Sequence, residues 1–407
     1  MESNETFMYL MHSDYKYAKT LASVFFFHFF FSLLLPVSQS HHFSNSNINM
    51  KNKHSITISL ALALSIIFSI ASSAKEKITT KTPEKVKVQA SCVAFYNLEN
   101  LFDTIDNDNV LDEEYLPNGP LKWNTQKYSS KLQHMSYAIS QIGLDVTPVG
   151  VALIGVSEIE NRGVLQDLVK QPDLAKRGYE IVHYDGIDRR GVDVALLYNP
   201  KLFIVTNSKS YRLHTADTTF RTRDQLMVSG YLQGEKVHVI VNHWPSRNGG
   251  ELNSRPKRNA AAGLTRSISD SLMRVDPKAK IIIMGDLNDD PFNESCATVL
   301  GAKKEIKDVK EGGLYNTLWK TLDMGVGSLA YNDQWNLFDQ IIISAELAHA
   351  DRSKLKFWKA EVFNRSFLIQ QEGRYKGSPW RTHAGGAWIN GYGDHFPTLI
   401  YLVKEVK

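Results

Sequence analysis

Six apolar runs in this chain begin or end on polar residues able to bind a hard cation or carry a proton. SCVAFY ends in Asn97-Leu98-Glu99, VALIGVS in Glu158, VHVIVN in His243, and IIIM in Gly285-Asp286-Leu287-Asn288. LFDQIII carries Asp339 near its start, and Asp394-His395 stands just before FPTLIYLV. One Asn or Asp at a strand end is ordinarily a turn former or a cap; six such positions together point to a site. Carboxylate and amide oxygens are the ligands that Mg²⁺ or Mn²⁺ requires, and two histidines can exchange protons near neutral pH. Oxygen donors without thiolates argue against zinc or copper. The two cysteines, Cys92 and Cys296, lie in no CxxC or Cys/His cluster and make no disulfide framework. The inventory fits phosphate-ester hydrolysis: a metal to neutralise phosphoryl oxygens, a base for water, and donors for the developing charge.

Such residues need a scaffold that gathers strand ends. Short apolar or alternating runs predict strands at Cys92–Asn97, Val149–Val156, Tyr179–Tyr184, Val192–Tyr198, Leu226–Leu232, Lys236–Asn242, Lys280–Met284, Phe338–Ser344 and Pro397–Val403. Gly234-Glu235 marks a hairpin. Tyr128, Leu132, Met135, Ile139 and Ile142 fall at helical steps between Asn124 and Gly143, so a helix there lays one apolar face on a sheet. Asn124 or Thr125 caps it and Gly143 ends it. Hairpins with interspersed helices predict an α+β fold with two sheets face to face and helices outside, rather than a parallel doubly wound sheet. Residues 205–225, 303–335 and 372–393 read as long loops. With 43% hydrophobic and 22% charged residues, collagen, coiled coil and wholesale disorder are excluded, and a net charge of +4 is too small to imply nucleic acid or membrane by itself.

The first ninety residues read differently. From Met50, Lys51 and Lys53 precede an apolar run from Ile56 to Ile70 and small residues ending at Ala74, the layout of a secretory signal peptide. We therefore expect 50–74 to be the signal, Met50 the true start and 1–49 an upstream extension. Residues 75–90 should be a disordered lead-in, and 91–407 one domain without an internal boundary. The run Leu21 to Val37, broken by His28 and Pro36, is short for a membrane span of about 20 residues. The expected product is a secreted or periplasmic monomer with no anchor left after cleavage and no zinc.

In order, YNLEN, SEIEN, NHWPS, GDLN, FDQII and GDHFP resemble the endonuclease/exonuclease/phosphatase superfamily, the DNase I-like proteins, from about Ser91 to Val403. The GDLN segment followed by a terminal GDH is the specific part. The resemblance implies a four-layered α/β/β/α sandwich of two mainly antiparallel sheets, with the site at one end. It also implies roles. Glu158 matches the principal metal ligand. Asn97 and Glu99 match the pair beside it, with Glu99 in place of the more usual Asp. Asp286 and Asn288 match the pair that positions or deprotonates water and binds the phosphate. His395 matches a general base or proton donor, Asp339 the group that orients its ring, Asp394 a further metal-side carboxylate, and His243 the second histidine of the DNase-like branch. The implied cofactor is Mg²⁺ or Mn²⁺.

For the substrate, cations cluster after His243 (Arg247, Arg255, Lys257, Arg258), in DRRG (Arg189, Arg190) and in FRTRD (Arg221, Arg223). Arg374, Lys376 and Arg381 alternate with Tyr375, Trp380 and Trp388. Cations for phosphates and rings for bases suit a nucleic-acid groove. We expect Arg190, Arg223, Arg247, Trp244 and Arg258 to touch substrate. GDLNDDP lacks the aromatic-Arg continuation of the inositol phosphatases and FDQII lacks their WCDR, while only 353–367 offers aromatics toward a bilayer. The leading expectation is a secreted nuclease of low sequence specificity. The alternatives are a phosphoesterase of the same chemistry on a phospholipid or small ester, and a catalytically silent binding module.

Overall fold

The computed structural model describes residues 7–9, 87–331 and 334–406. The expected signal segment, and nearly all of the expected extension and lead-in, lie outside those residues. From Lys87 the chain builds two sheets. The first uses β1 (Lys87–Leu101), β2 (Val151–Ile159), β3 (Glu180–His183) and β4 (Asp193–Tyr198). The second uses β5 (Phe203–Tyr211), β6 (Gln225–Leu232), β7 (Glu235–His243), β8 (Lys280–Asp286), β9 (Ala302–Lys303), β10 (Leu314–Asn316) and β11 (Asp339–Ser344), and then β12 (Lys356–Val362) and β13 (Thr398–Glu405) return to the first. The strand orders are β12-β13-β1-β2-β4-β3 and β9-β10-β11-β8-β7-β6-β5. Most neighbours are antiparallel, but β1 and β2 run parallel, as do β7 and β8 and the short β9 and β10.

Side chains alternate between two buried faces. In β1, Val93 and Phe95 enter the core between the sheets while Ala94 and Tyr96 face the helical side; in β8, Ile282 and Met284 face the other sheet and Ile281 and Ile283 the outer helix. Covering both faces is why these strands read as unbroken apolar runs. Helices α1 (Thr125–Gln141) and α2 (Arg162–Val169) cover the first sheet and α3 (Glu251–Val275) the second, which completes the α/β/β/α sandwich. Asn124 caps α1 by accepting the Lys127 N–H. The sheets approach so closely at Gly155 that a Cβ there would lie 2.6 Å from Met284 Sδ.

Several segments differ from expectation. The lead-in ends sooner, because Lys87–Ala90 already belong to β1, with Val88 buried and paired to Glu405. The expected loop 205–225 begins as β5, an edge strand whose TNSKS stretch is polar because one face meets solvent. Segment 303–335 holds β10 and part of a two-stranded ribbon, Leu329–Tyr331 with Gln334–Asn336. Helix α3 was not anticipated: its buried positions Ser254, Arg258, Ala261, Thr265 and Ile268 keep a helical period, but small and polar side chains carry it, and Pro256 lies inside. The aromatic stretch 353–367 contains β12, with Trp358 against Tyr401 at 6.0 Å between ring centroids. Among the described residues no helix is long and apolar enough to cross a membrane.

Candidate active site

The parallel pairs set the geometry. Strands that run side by side end at the same edge, so β7 and β8 deliver His243 and Asp286 as register partners, and antiparallel β11 begins with Asp339 opposite Asp286. In the first sheet, Asn97 of β1 pairs with Ser157 of β2. A register shift between Ser157 and Ile159 inserts Glu158 at φ +58°, as a bulge re-aims a side chain. Glu99, Asn100 and Asn288 also have positive φ, so four of the seven left-handed non-glycine residues among the described ones fall in this small region. Backbone of that kind costs about 1–3 kcal/mol per residue and persists where surrounding structure enforces it.

The two sheets meet through these side chains. Asn97 Nδ2 donates to Asp286 Oδ2 at 3.1 Å, and His243 Nε2 lies 3.8 Å from Glu158 Oε1 and 3.6 Å from Asp286 Oδ2. His395 Nδ1 bonds Asp339 Oδ2 at 2.6 Å, and Ser328 Oγ donates to the same oxygen at 2.5 Å. Ligand atoms of Asp286, Asp339 and His395 all lie within 4.8 Å of one another. Burial would lower the His395 pKa, but the carboxylates of Asp339 and Asp394 outweigh it and hold the imidazole well above its ordinary value. His243 moves the other way, pushed well below by burial and by Arg223 and Arg190. Burial, aided by Asp339 and Glu158 against the opposing pull of His395, raises Asp286 to about 7. The surroundings thus favour the charged form of His395 and the neutral form of His243, and lift the carboxyl between them toward neutrality.

Not every expected residue joins this cluster. Asn97 accepts the Glu99 N–H on Oδ1 and turns its amide NH₂ toward Asp286, so in this arrangement it braces that carboxylate. Glu99 is tied elsewhere: its Oε2 takes the Thr382 N–H at 2.6 Å and lies 3.4 Å from Lys131 Nζ. Asp394 Oδ1 lies 3.8 Å from His395 Nε2. Asn288 donates its N–H to Asp286 Oδ1 and its side-chain amide to the Trp244 carbonyl, which fixes the turn.

Three expected substrate contacts are corrected by burial. Trp244 is 1% exposed and donates to Asn242 and Thr265. Arg258 is 0% exposed, with Nε 2.7 Å from Asp289 Oδ1 although not aligned as a hydrogen bond. Buried Arg223 pairs with Asp188 at 3.2 Å and donates to the carbonyls of His243 and Trp244. They hold the site from beneath. Arg247 is intermediate, bonded to the Asn288 carbonyl and Asp289 while lying over the Phe338 ring at 4.4 Å. Arg190 stays exposed beside Asp188 at 3.7 Å. Sequence reasoning missed Ser328, Lys131 and Asp289. A lysine among the apolar positions of α1 was a signal for Lys131; Ser328 had none.

The donor set fits a divalent cation. Glu158 and Asp286 converge on one point from opposite sheets, and Asp339 Oδ1 and His243 Nδ1 are buried without hydrogen-bond partners. Clustered carboxylates raise one another's affinity for protons, and a hard cation held by one or two of them relieves that repulsion. Glu158 would hold such a cation, with Asp286 able to share it.

The sequence pattern of the Endonuclease/Exonuclease/phosphatase family matches residues 92–404. Compared with curated proteins, the chain finds no match. Among solved structures, D. rerio TDP2 complexed with single-strand DNA product is 14% identical over 77% of this chain and 98% of its own, with a TM-score of 0.46. A mannosyl-6-phosphatase from Bacteroides thetaiotaomicron is 16% identical over 77% and 99%, with a TM-score of 0.47. An endonuclease/exonuclease/phosphatase family protein from the same species is 15% identical over 79% and 98%, with a TM-score of 0.48. At those identities and scores the structures say nothing about what this chain acts on. The sequence match runs through both sheets and every residue of the cluster, and on that ground the chain belongs to the endonuclease/exonuclease/phosphatase family.

Proposed function

We propose that this chain is a secreted phosphodiester hydrolase, dependent on Mg²⁺ or Mn²⁺, that degrades nucleic acid with little regard to sequence. The carrying observation is positive charge on both flanks of the cluster. Beside His243, a cleft of about 230 Å³ is lined by Arg189, Arg190, Arg221, Arg223 and Lys257, whose charge exceeds that of Asp188 in the same lining. Beside His395, Arg374, Lys376 and Arg381 face a second cleft. A polymer with phosphates on either side of the scissile one meets cations in both directions, and such contacts give affinity without sequence readout. Secretion rests on the signal-like segment from Met50 to Ala74.

Asp286, held near neutrality, is matched to take a proton from water as the water oxygen bonds to phosphorus. Asn97 and Asn288 fix that carboxylate through both oxygens. The charged His395 donates its proton to the departing oxygen as the ester P–O bond breaks, and Asp339 keeps its ring oriented. His243, held toward its neutral form, keeps one ring nitrogen without a proton and so can accept one. A divalent cation at Glu158 would supply charge neutralisation at the phosphoryl oxygens.

The test is a substrate panel with full-length protein: plasmid DNA, RNA, sphingomyelin, inositol phosphates and bis(p-nitrophenyl) phosphate, each with Mg²⁺ and with EDTA. Nucleic acid should be degraded only with metal, and Asp286→Ala or His395→Ala should abolish it. Intact nucleic acid alongside turnover of a lipid or small ester would overturn the nuclease reading.

A further inference from the structure

A cleft of about 590 Å³ opens beside the ribbon Leu329–Tyr331 and Gln334–Asn336, facing the loop that carries Arg374 to Arg381. Its rings are Tyr331, Trp335 and Tyr375, its charges are Arg374, Lys376 and Arg381, and no carboxylate lines it among the described residues. Unlike Arg223, Arg247 and Arg258, these three cations have no acidic partner within ion-pair distance among the described residues. Tyr331 and Trp335 are 57% and 40% exposed. The guanidiniums of Arg381 and Arg374 sit 5.0 and 5.8 Å from the Tyr375 ring centroid, and Arg381 Nε is buried without a hydrogen-bond partner.

The cleft is fastened to the reacting pair. Trp335 stacks on Phe396 with centroids 6.0 Å apart and 19° between planes. Phe396 directly follows His395, and its N–H donates to the Ser328 carbonyl at 2.7 Å. Ser328 Oγ in turn holds Asp339. Through Trp335, the cleft thus shares a wall with the segment that carries His395.

We infer that this cleft is a nucleotide subsite that stacks an unpaired base beside the scissile phosphate, so that the enzyme takes single-stranded nucleic acid in preference to duplex. The inference rests on the nuclease reading above and adds the form of the substrate. A duplex keeps its bases stacked on one another and shows the protein mainly phosphates, whereas a single strand offers π-faces to exposed rings and cations. The cleft lies in the size range of small-molecule sites and so has room for a nucleotide.

Binding is measured separately from cleavage, with full-length protein in EDTA and fluorescence anisotropy of a labelled oligothymidylate against a labelled duplex of equal length. The native chain should bind the single strand about tenfold tighter than the duplex, and Trp335→Ala or Tyr331→Ala should each remove about tenfold of single-strand affinity, the effect of one stacked base. Arg374→Ser, in an exposed loop, guards against misfolding of the ring variants and should weaken single-strand binding and flatten its salt dependence. Equal affinity for both forms, or ring variants that leave the single-strand preference intact, would overturn the subsite. Single-strand binding without cleavage of any nucleic acid would sink the nuclease reading and leave the subsite standing; no binding to either form would sink both.

Discussion

Arg258→Ala separates a substrate contact from a structural one. Arg258 is wholly buried, with Nε 2.7 Å from Asp289 Oδ1, Nη1 donating to Ser254 Oγ at 2.7 Å and Nη2 to the Glu251 carbonyl at 3.0 Å. Removing one partner of a buried ion pair costs about 3–5 kcal/mol, because the other charge stays in a low-dielectric interior. Asp289 would keep Arg247 Nη2 at 3.1 Å and Ser295 Oγ at 2.7 Å, so the lower end applies. A loss of about 3 kcal/mol in a domain of this size lowers Tm by roughly 6 °C. The assay pairs thermal melts by circular dichroism, with and without EDTA, with steady-state kinetics well below the melting range. The variant should melt early and keep a KM within about twofold, since uniform substrate binding is untouched. An unchanged Tm with a tenfold higher KM would refute the burial reasoning and return Arg258 to the substrate.

Four further outcomes are expected. His395→Ala should lower kcat by about 10²–10⁴, the range for a lost general acid. In Asp339→Asn, removing the carboxylate that holds His395 up should move the alkaline limb of the kcat/KM profile to lower pH; an unmoved limb would mean that another group sets it. A cation at Glu158 favours ionised Asp286, so Mg²⁺ affinity should weaken as pH falls below about 7, where Asp286 holds its proton. Titration calorimetry in buffers of different ionisation heat would show the released proton, and pH-independent binding would contradict the linkage. Burial pushes Glu160 from its ordinary 4.5 to about 7; the folded chain then binds more protons than the unfolded one across that window, and stability falls as pH rises through it. Glu160→Gln retains an acceptor for the Asp103 N–H, which the native side chain accepts at 2.8 Å, and urea melts should show a smaller loss over the same range.

Strands were legible wherever two-sided burial made them apolar, as in VALIGV and IIIM, and illegible where one face met solvent, as in β5. Helix α1 announced itself through Leu132, Met135 and Ile139, while α3 buries Ser254, Arg258 and Thr265 and satisfies them with hydrogen bonds that a hydropathy pattern does not register. The candidate site was legible for a related reason. Polar residues at the ends of apolar strands are forced to the rim, and parallel pairing of β1 with β2 and β7 with β8 puts those ends together.

The sequence by itself determined which residues could do the chemistry, because residue type decides what a side chain can ligate or protonate. Only the tertiary structure decided what each of them faces. Arg223 and Arg258 look like substrate cations in one dimension and meet buried Asp188 and Asp289 in three, whereas Arg374 and Arg381 meet no carboxylate among the described residues. Whether a charge is spent on a neighbour or left for a ligand depends on distances between residues far apart along the chain, and packing alone sets those distances.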